Sequence, residues 1–118
     1  MTQVPCRTVI KSAGGLEPKA TKRSGVTERV LLSREECPHQ NVAIIDLAEH
    51  AVVEIHPSPT SESFYVLEGT VAMVFPDGER ILATGDFCHM PGGVQHGVRA
   101  EGGAARMMVI FAPPAAKK

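Results

Sequence analysis

The chain has 118 residues and a mass of 12.6 kDa, which suits one domain with a single hydrophobic core. Its twelve basic and thirteen acidic residues give a formal net charge of -1 and form no basic stripe, so we expect no nucleic-acid partner. No apolar run approaches about twenty residues, and residues 1–15 lack the layout of a secretory signal. We therefore expect a cytoplasmic protein with no membrane partner.

The first 26 residues predict an irregular N-terminal arm. They carry Pro5, Gly14, Gly15, Pro18 and Gly25 and show no sustained helical or strand period. We expect this arm, residues 1–26, to wrap the folded domain or a neighbouring subunit.

The pattern changes at residue 27, where short runs rich in Val, Ile and Phe are interrupted by Gly, Pro or Asp about every ten residues. This spacing is typical of a β-sandwich or β-barrel, and helix signals are nearly absent. The sequence therefore predicts a β domain at residues 27–112 and a flexible tail at 113–118. The predicted strands are 27–32, 42–47, 51–56, 63–68, 71–75, 79–82, 86–90, 95–100 and 106–111.

One turn between these strands has a clear physical cause. Pro76 presets φ and Gly78 accepts a positive φ, so the Pro76-Asp77-Gly78 segment predicts a hairpin between strands 71–75 and 79–82.

The cysteines are odd in number and widely spaced, at Cys6, Cys37 and Cys88. This pattern favours reduced thiols over a disulfide framework. Cys37 and His39 flank Pro38 at a distance that could chelate an ion. Two isolated ligands in a loop seldom form a site, so we interpret both as structural.

Strand alternation predicts which polar side chains face the interior. In strand 51–56 and its extension, the period of two places Glu54, His56 and Ser58 on one face and Val53 and Ile55 on the other. We expect the first of these faces to point inwards.

Two further polar residues can reach the same interior. Glu62 begins the next strand and shares its face with Phe64 and Val66, while Tyr65 alternates to the outside. His96 follows the Pro91-Gly92-Gly93 turn, which reverses the chain.

The spacing of residues 85–96 resembles a known motif. Gly85, five residues, Pro91, one residue, Gly93, two residues and His96 match the second signature motif of the cupins, small β-barrel proteins of bacteria and plants. Ala100 stands where an Asn often closes that motif.

The first cupin motif is also matched, with two departures. It consists of a glycine, five residues, His-x-His, three or four residues, a glutamate, six residues and a glycine. His56, Glu62 and Gly69 stand at the matching spacings, but Ser58 replaces the second histidine and His50 the leading glycine. The resemblance covers roughly residues 42–112.

The resemblance implies an all-β fold, a double-stranded β-helix or jelly-roll barrel, with metal ligands inside it. Carried over by position, the ligands are His56, Glu62 and His96, and the usual four-ligand set becomes three because Ser58 is a weak neutral ligand. Two imidazoles and a carboxylate suit one divalent Fe, Mn, Zn or Ni ion per chain and resemble the facial triad of Fe(II) oxygenases.

Other residues are candidates for the pocket around this ion. Glu54 is a candidate general base, or else a carboxylate at the solvated mouth. His89 is either a pocket residue or an ordinary strand histidine. The remaining predicted pocket residues, which core packing would equally explain where they are apolar, are Ser58, Phe64, Val66, Met73, Met108 and Ile110.

Several functions fit this set of residues. We expect a metal-dependent enzyme acting on a small organic molecule, with oxygenase chemistry ahead of isomerase or lyase chemistry because three ligands leave room for both substrate and O2. The alternative is a non-catalytic barrel that binds a small molecule and keeps a vestigial metal site, which Ser58 favours. A structural or assembly role has no residue in its favour. A homodimer is also expected, because exposed sheet edges need to be covered.

Overall fold

The computed structural model describes residues 6–114, so residues 1–5 and the last part of the predicted tail, 115–118, lie outside it. A 3-10 turn at Ala13–Gly15 is followed by ten strands, and no helix in this part of the chain could span a membrane. The strands are β1 (Lys19–Ala20), β2 (Val26–Leu32), β3 (Asn41–Leu47), β4 (Val52–Pro57), β5 (Glu62–Glu68), β6 (Thr70–Phe75), β7 (Gly78–Ala83), β8 (Phe87–Met90), β9 (Gln95–Ala100) and β10 (Ala105–Phe111).

The strands form two antiparallel sheets that enclose one core. The larger sheet has the order β1-β2-β3-β10-β5-β8 and the smaller one β4-β9-β6-β7. Phe64 and Met107 of the larger sheet pack in the same buried cluster as Met73 and Val98 of the smaller sheet. The predicted jelly-roll arrangement is confirmed, and each predicted strand is present with ends within one residue of the expected positions.

The alternation along β5 agrees with the sequence. Glu62, Phe64 and Val66 are buried, whereas Ser63 is partly exposed and Tyr65 is 40% exposed on the outer face. Because β5 lies between β10 and β8 in the sheet and pairs regularly from Glu62 to Val66, these ladders direct the Glu62 side chain into the interior.

The hairpin between β6 and β7 also agrees with the sequence. Phe75 pairs with Gly78, and Pro76 and Asp77 form the connection between them. Gly78 has a φ of 146°, a conformation that side chains rarely allow, which explains the glycine at this position.

The N-terminal arm lies against the barrel of its own chain. β1 pairs with β2, Arg29 Nε donates to the carbonyl of Leu16 at 3.3 Å, and Lys11 Nζ lies 2.7 Å from Glu36 Oε1. The arm therefore extends the edge of the larger sheet and continues into a turn before β2.

The cysteine prediction is wrong for two of the three residues. Cys6 and Cys37, 31 positions apart, form a disulfide, and Cys88 is a free, half-buried thiol. The folded arm brings Cys6 back to the loop after β2, a proximity that spacing along the chain does not reveal. Cys37 is structural, as expected.

Candidate metal centre

Strands from both sheets bring the predicted ligands together. His56 comes from β4, Glu62 from β5 and His96 from β9, and their ligand atoms lie within 4.8 Å of one another. His56 and His96 are direct cross-strand partners, with ring centroids 4.7 Å apart. These three residues can hold a metal ion.

The strand β4 does not follow the predicted alternation. Val53 pairs with Val98 and His56 with His96, so the pairing register shifts between Val53 and His56, where Glu54 and Ile55 lie. This β-bulge turns Val53 and His56 both inwards and leaves Glu54 and Ile55 exposed. The prediction that Glu54 and His56 share a face is therefore wrong.

The opposing strand makes room for this bulge at Gly97. A Cβ atom built on Gly97 would lie 2.6 Å from the carbonyl oxygen of Val53 and 3.0 Å from the amide nitrogen of Ile55. Any side chain here would meet backbone atoms that cannot easily move. Gly97 thus allows the close approach that points His56 inwards.

Backbone carbonyls fix the tautomers of both imidazoles. His96 Nδ1 lies 3.1 Å from the carbonyl oxygen of Val94, and His56 Nδ1 lies 2.9 Å from that of Glu54. A carbonyl can only accept, so each Nδ1 carries a proton and donates it. In the neutral rings the lone pair is then on Nε2, the arrangement typical of metal-binding histidines.

Glu62 and His96 face each other without a hydrogen bond. Glu62 Oε1 lies 3.6 Å from His96 Nε2, and both atoms are buried with no hydrogen-bond partner among residues 6–114. Burial raises the pKa of Glu62 to about 7, although the nearby Ser58 hydroxyl opposes the rise. Burial lowers the pKa of His96, against a smaller opposite effect of the Val94 carbonyl. A divalent cation would satisfy both atoms.

Ser58 lies behind His96 instead of in the pocket lining. Its hydroxyl donates to the carbonyl of Val94 at 3.2 Å and accepts from His96 Nδ1 at 3.2 Å. Ser58 is 3% exposed and is absent from the cavity wall. Ser58, which stands at the family's second histidine position, therefore holds the ligand His96 in place. The prediction that Ser58 lines the pocket is wrong.

A cavity of about 320 Å³ adjoins the three ligands, between the two sheets. Of the predicted pocket residues, Phe64 lines it, and its ring meets that of His96 edge-on at 5.8 Å. Val66 and Met73 are fully buried in the core and do not reach the cavity.

Three of the residues that were candidates for the pocket lie instead on the outer face of the larger sheet. Met108 pairs with Tyr65 in the ladder, so its neighbour Met107 faces inwards. Ile110 faces outwards for the same reason, and its neighbour Val109 lines the cavity wall. His89 is exposed and bonds to Ser63 Oγ at 2.9 Å. A shift of one residue changes the face of every side chain on a strand.

Glu54, the predicted general base, lies outside the cavity. Its carboxylate is exposed at the bulge, in the wall of an outer groove, while its carbonyl binds His56. Its catalytic role stays a prediction.

The sequence carries no signal for four polar residues of the cavity wall, one of which, Glu28, lies on β2. Thr21 and Arg23 belong to the arm, where no periodicity assigns a direction, and Asn41 begins β3. The Oδ1 atom of Asn41 is buried without a donor.

A comparison with protein families shows to which family the chain belongs. A model of the cupin domain matches residues 43–111, more than half of its length. The chain belongs to the cupin family. No curated protein sequence matches it.

Solved structures share the fold of this cupin at low sequence identity. The polyketide cyclase RemF from Streptomyces resistomycificus has a TM-score of 0.84 and 17% identity, covering 94% of this chain and 83% of that one. KdgF from Halomonas sp. has a TM-score of 0.76 and 17% identity, with 92% and 95% covered. A predicted oxalate decarboxylase from Thermotoga maritima has a TM-score of 0.77 and 19% identity, with 92% and 100% covered. These similarities show the fold alone.

Proposed function

We propose that this cupin binds one divalent transition-metal ion through His56, Glu62 and His96 and acts as a metal-dependent enzyme on a small organic molecule. The observation that supports the proposal best is the set of buried, unpaired atoms, Glu62 Oε1 and His96 Nε2, 3.6 Å apart. Buried polar atoms are normally paired, so two unpaired atoms at one point support a cation-binding role for them.

The donor set limits the choice of ion and its chemistry. Two imidazole nitrogens and one carboxylate oxygen suit Fe, Mn, Zn or Ni, and three ligands leave positions open in a six-coordinate ion. When bound, such an ion supplies a Lewis acid for a substrate oxygen or, as iron, a site for O2.

The chain itself supplies orientation and a dry environment. The carbonyls of Val94 and Glu54 hold the two imidazoles with Nε2 free, and Ser58 adds a second contact to His96. Phe64 packs against the His96 ring, and apolar side chains from both sheets cover most of the remaining cavity wall. A substrate would exchange bulk water for this lining.

Oxygenase chemistry is the finer proposal, since an ion with three protein ligands has room for both O2 and a substrate. The second candidate is a non-catalytic cupin that binds a small molecule, and the replacement of a ligand by Ser58 favours it. Oxygen uptake by the iron-loaded protein, screened over small organic molecules, separates the two. Turnover without O2 would indicate an isomerase or lyase instead.

Elemental analysis tests the metal site itself. We expect close to one ion per chain after reconstitution of the untagged protein with Fe, Mn, Zn or Ni in turn. His96→Ala should remove it, because only two ligands remain. His39→Ala is the matched control, since His39 is exposed in the loop after β2 and does not belong to the group of three ligands.

Two results would reject the metal site. The first is a wild-type protein that retains well under one equivalent of every ion. The second is a His96→Ala variant that retains as much metal as His39→Ala. Circular dichroism of both variants shows whether a loss of metal reflects a loss of fold.

We also propose that the protein is a homodimer. The arm covers an edge of its own sheet, but Ile55, Ile81 and Phe87 are 45%, 56% and 61% exposed. A second subunit that covers such side chains would remove their apolar surface from water. Light scattering should give about twice the mass of 12.6 kDa, and a monomer at micromolar concentration would reject the proposal.

A further inference from the structure

Arg23 has no acidic partner in the described part of the chain, although it is half buried in the wall of the cavity. No ion pair joins its guanidinium to a carboxylate among residues 6–114. The half-buried Arg29 and Arg106, by contrast, both lie 2.6 Å from the carboxylate of Asp46. An unpaired cation in a cavity wall is available to a ligand.

The backbone around Arg23 is held independently of its side chain. The hydroxyl of Thr21 donates to the carbonyl of Val26 at 2.8 Å and accepts from the amide of Arg23 at 3.1 Å. The amide of Val26 donates to the carbonyl of Arg23 at 3.2 Å. These bonds use only backbone atoms of Arg23, so a substitution of its side chain leaves them intact.

Arg23 also lies where the cavity meets the outside. Arg23 and His56 both line the inner cavity and an outer groove of about 870 Å³ between the arm and β4. Lys22 lines the outer groove but not the cavity. A molecule that enters from the groove therefore passes Arg23 on its way to the three ligands.

The charges around the cavity favour an anion. A divalent ion with one carboxylate ligand, Glu62, leaves one positive charge, and Arg23 adds another. Glu28, also in the wall, offsets only one of these two charges. Because the rest of the lining is mostly apolar, a ligand with a single negative charge and an apolar body is the best match.

We infer that Arg23 binds the carboxylate of the substrate, which is a small organic acid with an apolar body. The planar fork of a guanidinium matches a carboxylate with two parallel hydrogen bonds. The cavity volume of about 320 Å³ is at the small end of ligand sites, which limits the body to the size of one ring or a short chain. The role of this ligand as a substrate rests on the proposed metal-dependent enzyme. Its binding to Arg23 does not.

The test compares benzoate with benzamide, which has nearly the same shape and no charge. Amide chemical shifts of the labelled protein report the dissociation constants, both in the metal-free and in the zinc-loaded form. The variants are Arg23→Gln and the matched control Lys22→Gln, which removes a neighbouring charge outside the cavity. Zinc affinity is measured separately for each protein.

We expect the wild type and Lys22→Gln to bind benzoate at least tenfold more tightly than benzamide in the metal-free form. Arg23→Gln should lose this preference and keep its zinc affinity. The inference is overturned if Arg23→Gln retains the preference for benzoate or if the wild type shows none. It is also overturned if the preference appears only with zinc bound and is unchanged in Arg23→Gln. A protein that binds no zinc but shows the Arg23-dependent preference would contradict the proposed metal site and support the inference.

Discussion

β4 and β5 each supply a metal ligand, but they orient it by different means. β5 pairs regularly with both neighbours around Glu62, and the period of two in this part of the strand points Glu62 into the barrel. β4 is bulged, and His56 points inwards because the opposite strand has no side chain at Gly97. A ligand on a regular strand is therefore specified by its own strand, whereas a ligand on a bulged strand depends on its neighbour as well.

The largest effect is expected for Gly97→Ala, which tests this dependence. The new Cβ would lie 2.6 Å from the Val53 carbonyl oxygen, so β4 has to move away and take His56 with it. We expect a loss of zinc binding together with a loss of about 1–3 kcal/mol of stability. Thermal unfolding and zinc titration measure the two effects.

Gly15→Ala is the control for this substitution. Nothing lies within 4 Å of a Cβ atom at Gly15, and its backbone is not in the left-handed region. It should unfold and bind zinc like the wild type. If Gly97→Ala does so too, the bulge does not depend on Gly97, and the contrast between β4 and β5 fails.

A smaller loss of zinc affinity is expected for Ser58→Ala, because this substitution removes a contact to a ligand and leaves the ligand itself in place. The hydroxyl holds His96 through Nδ1 and the Val94 carbonyl. Removal of such outer contacts costs about ten- to a hundredfold in metal affinity. Ser61→Ala is the matched control, because its hydroxyl donates to Ala112 instead. Equal zinc affinities of the two variants would show that Ser58 does not position His96.

The pH dependence of the metal-free protein tests the burial of Glu62 on β5. The pKa of this carboxyl rises from 4.5 to about 7 on folding, so its contribution to stability is complete below pH 4.5 and is lost as the pH rises through 7. The lowered pKa of His96 changes stability with pH in the opposite direction. The variant Glu62→Gln also contains His96, so a comparison with this variant as the reference isolates the effect of Glu62.

We therefore expect the melting temperature of the wild type, relative to Glu62→Gln, to fall between pH 4.5 and 7. Zinc binding to the wild type should strengthen over the same range, because the ion displaces the proton of Glu62. A temperature difference that is independent of pH would show that the carboxyl is not buried as described.

The smallest effect is expected for Glu54→Ala. The carboxylate of Glu54 is exposed at the bulge, and only its backbone carbonyl binds His56. Surface substitutions of this kind usually change free energies by less than about 0.5 kcal/mol, so zinc affinity should stay within about twofold. A larger loss would place the carboxylate itself at the ion.

The sequence predicted those parts of the site that local patterns determine. Strand positions follow from alternation and turn residues, and the regular ladder of β5 made Glu62 and Phe64 correct as inward-facing residues. The motif spacing located His56 and His96 even where the strand geometry was misjudged. A motif conveys which residues converge without stating how the backbone achieves it.

The remaining parts depend on contacts between distant segments. The bulge in β4 needs Gly97 on another strand, and the disulfide needs the arm to fold back so that Cys6 meets Cys37. Arg23 enters the cavity wall for the same reason. His50, which replaces a motif glycine, keeps a positive φ of 69°, so the turn survives the substitution.

The most direct test of the metal centre is anomalous diffraction at the zinc absorption edge from crystals of the zinc-loaded protein. We expect one strong peak per chain inside the barrel, bonded to Nε2 of His56, Nε2 of His96 and a carboxylate oxygen of Glu62, with Ser58 Oγ on His96 Nδ1 and not on the ion. A peak elsewhere, such as at the exposed His89, or no ordered peak inside the barrel, would contradict the metal site.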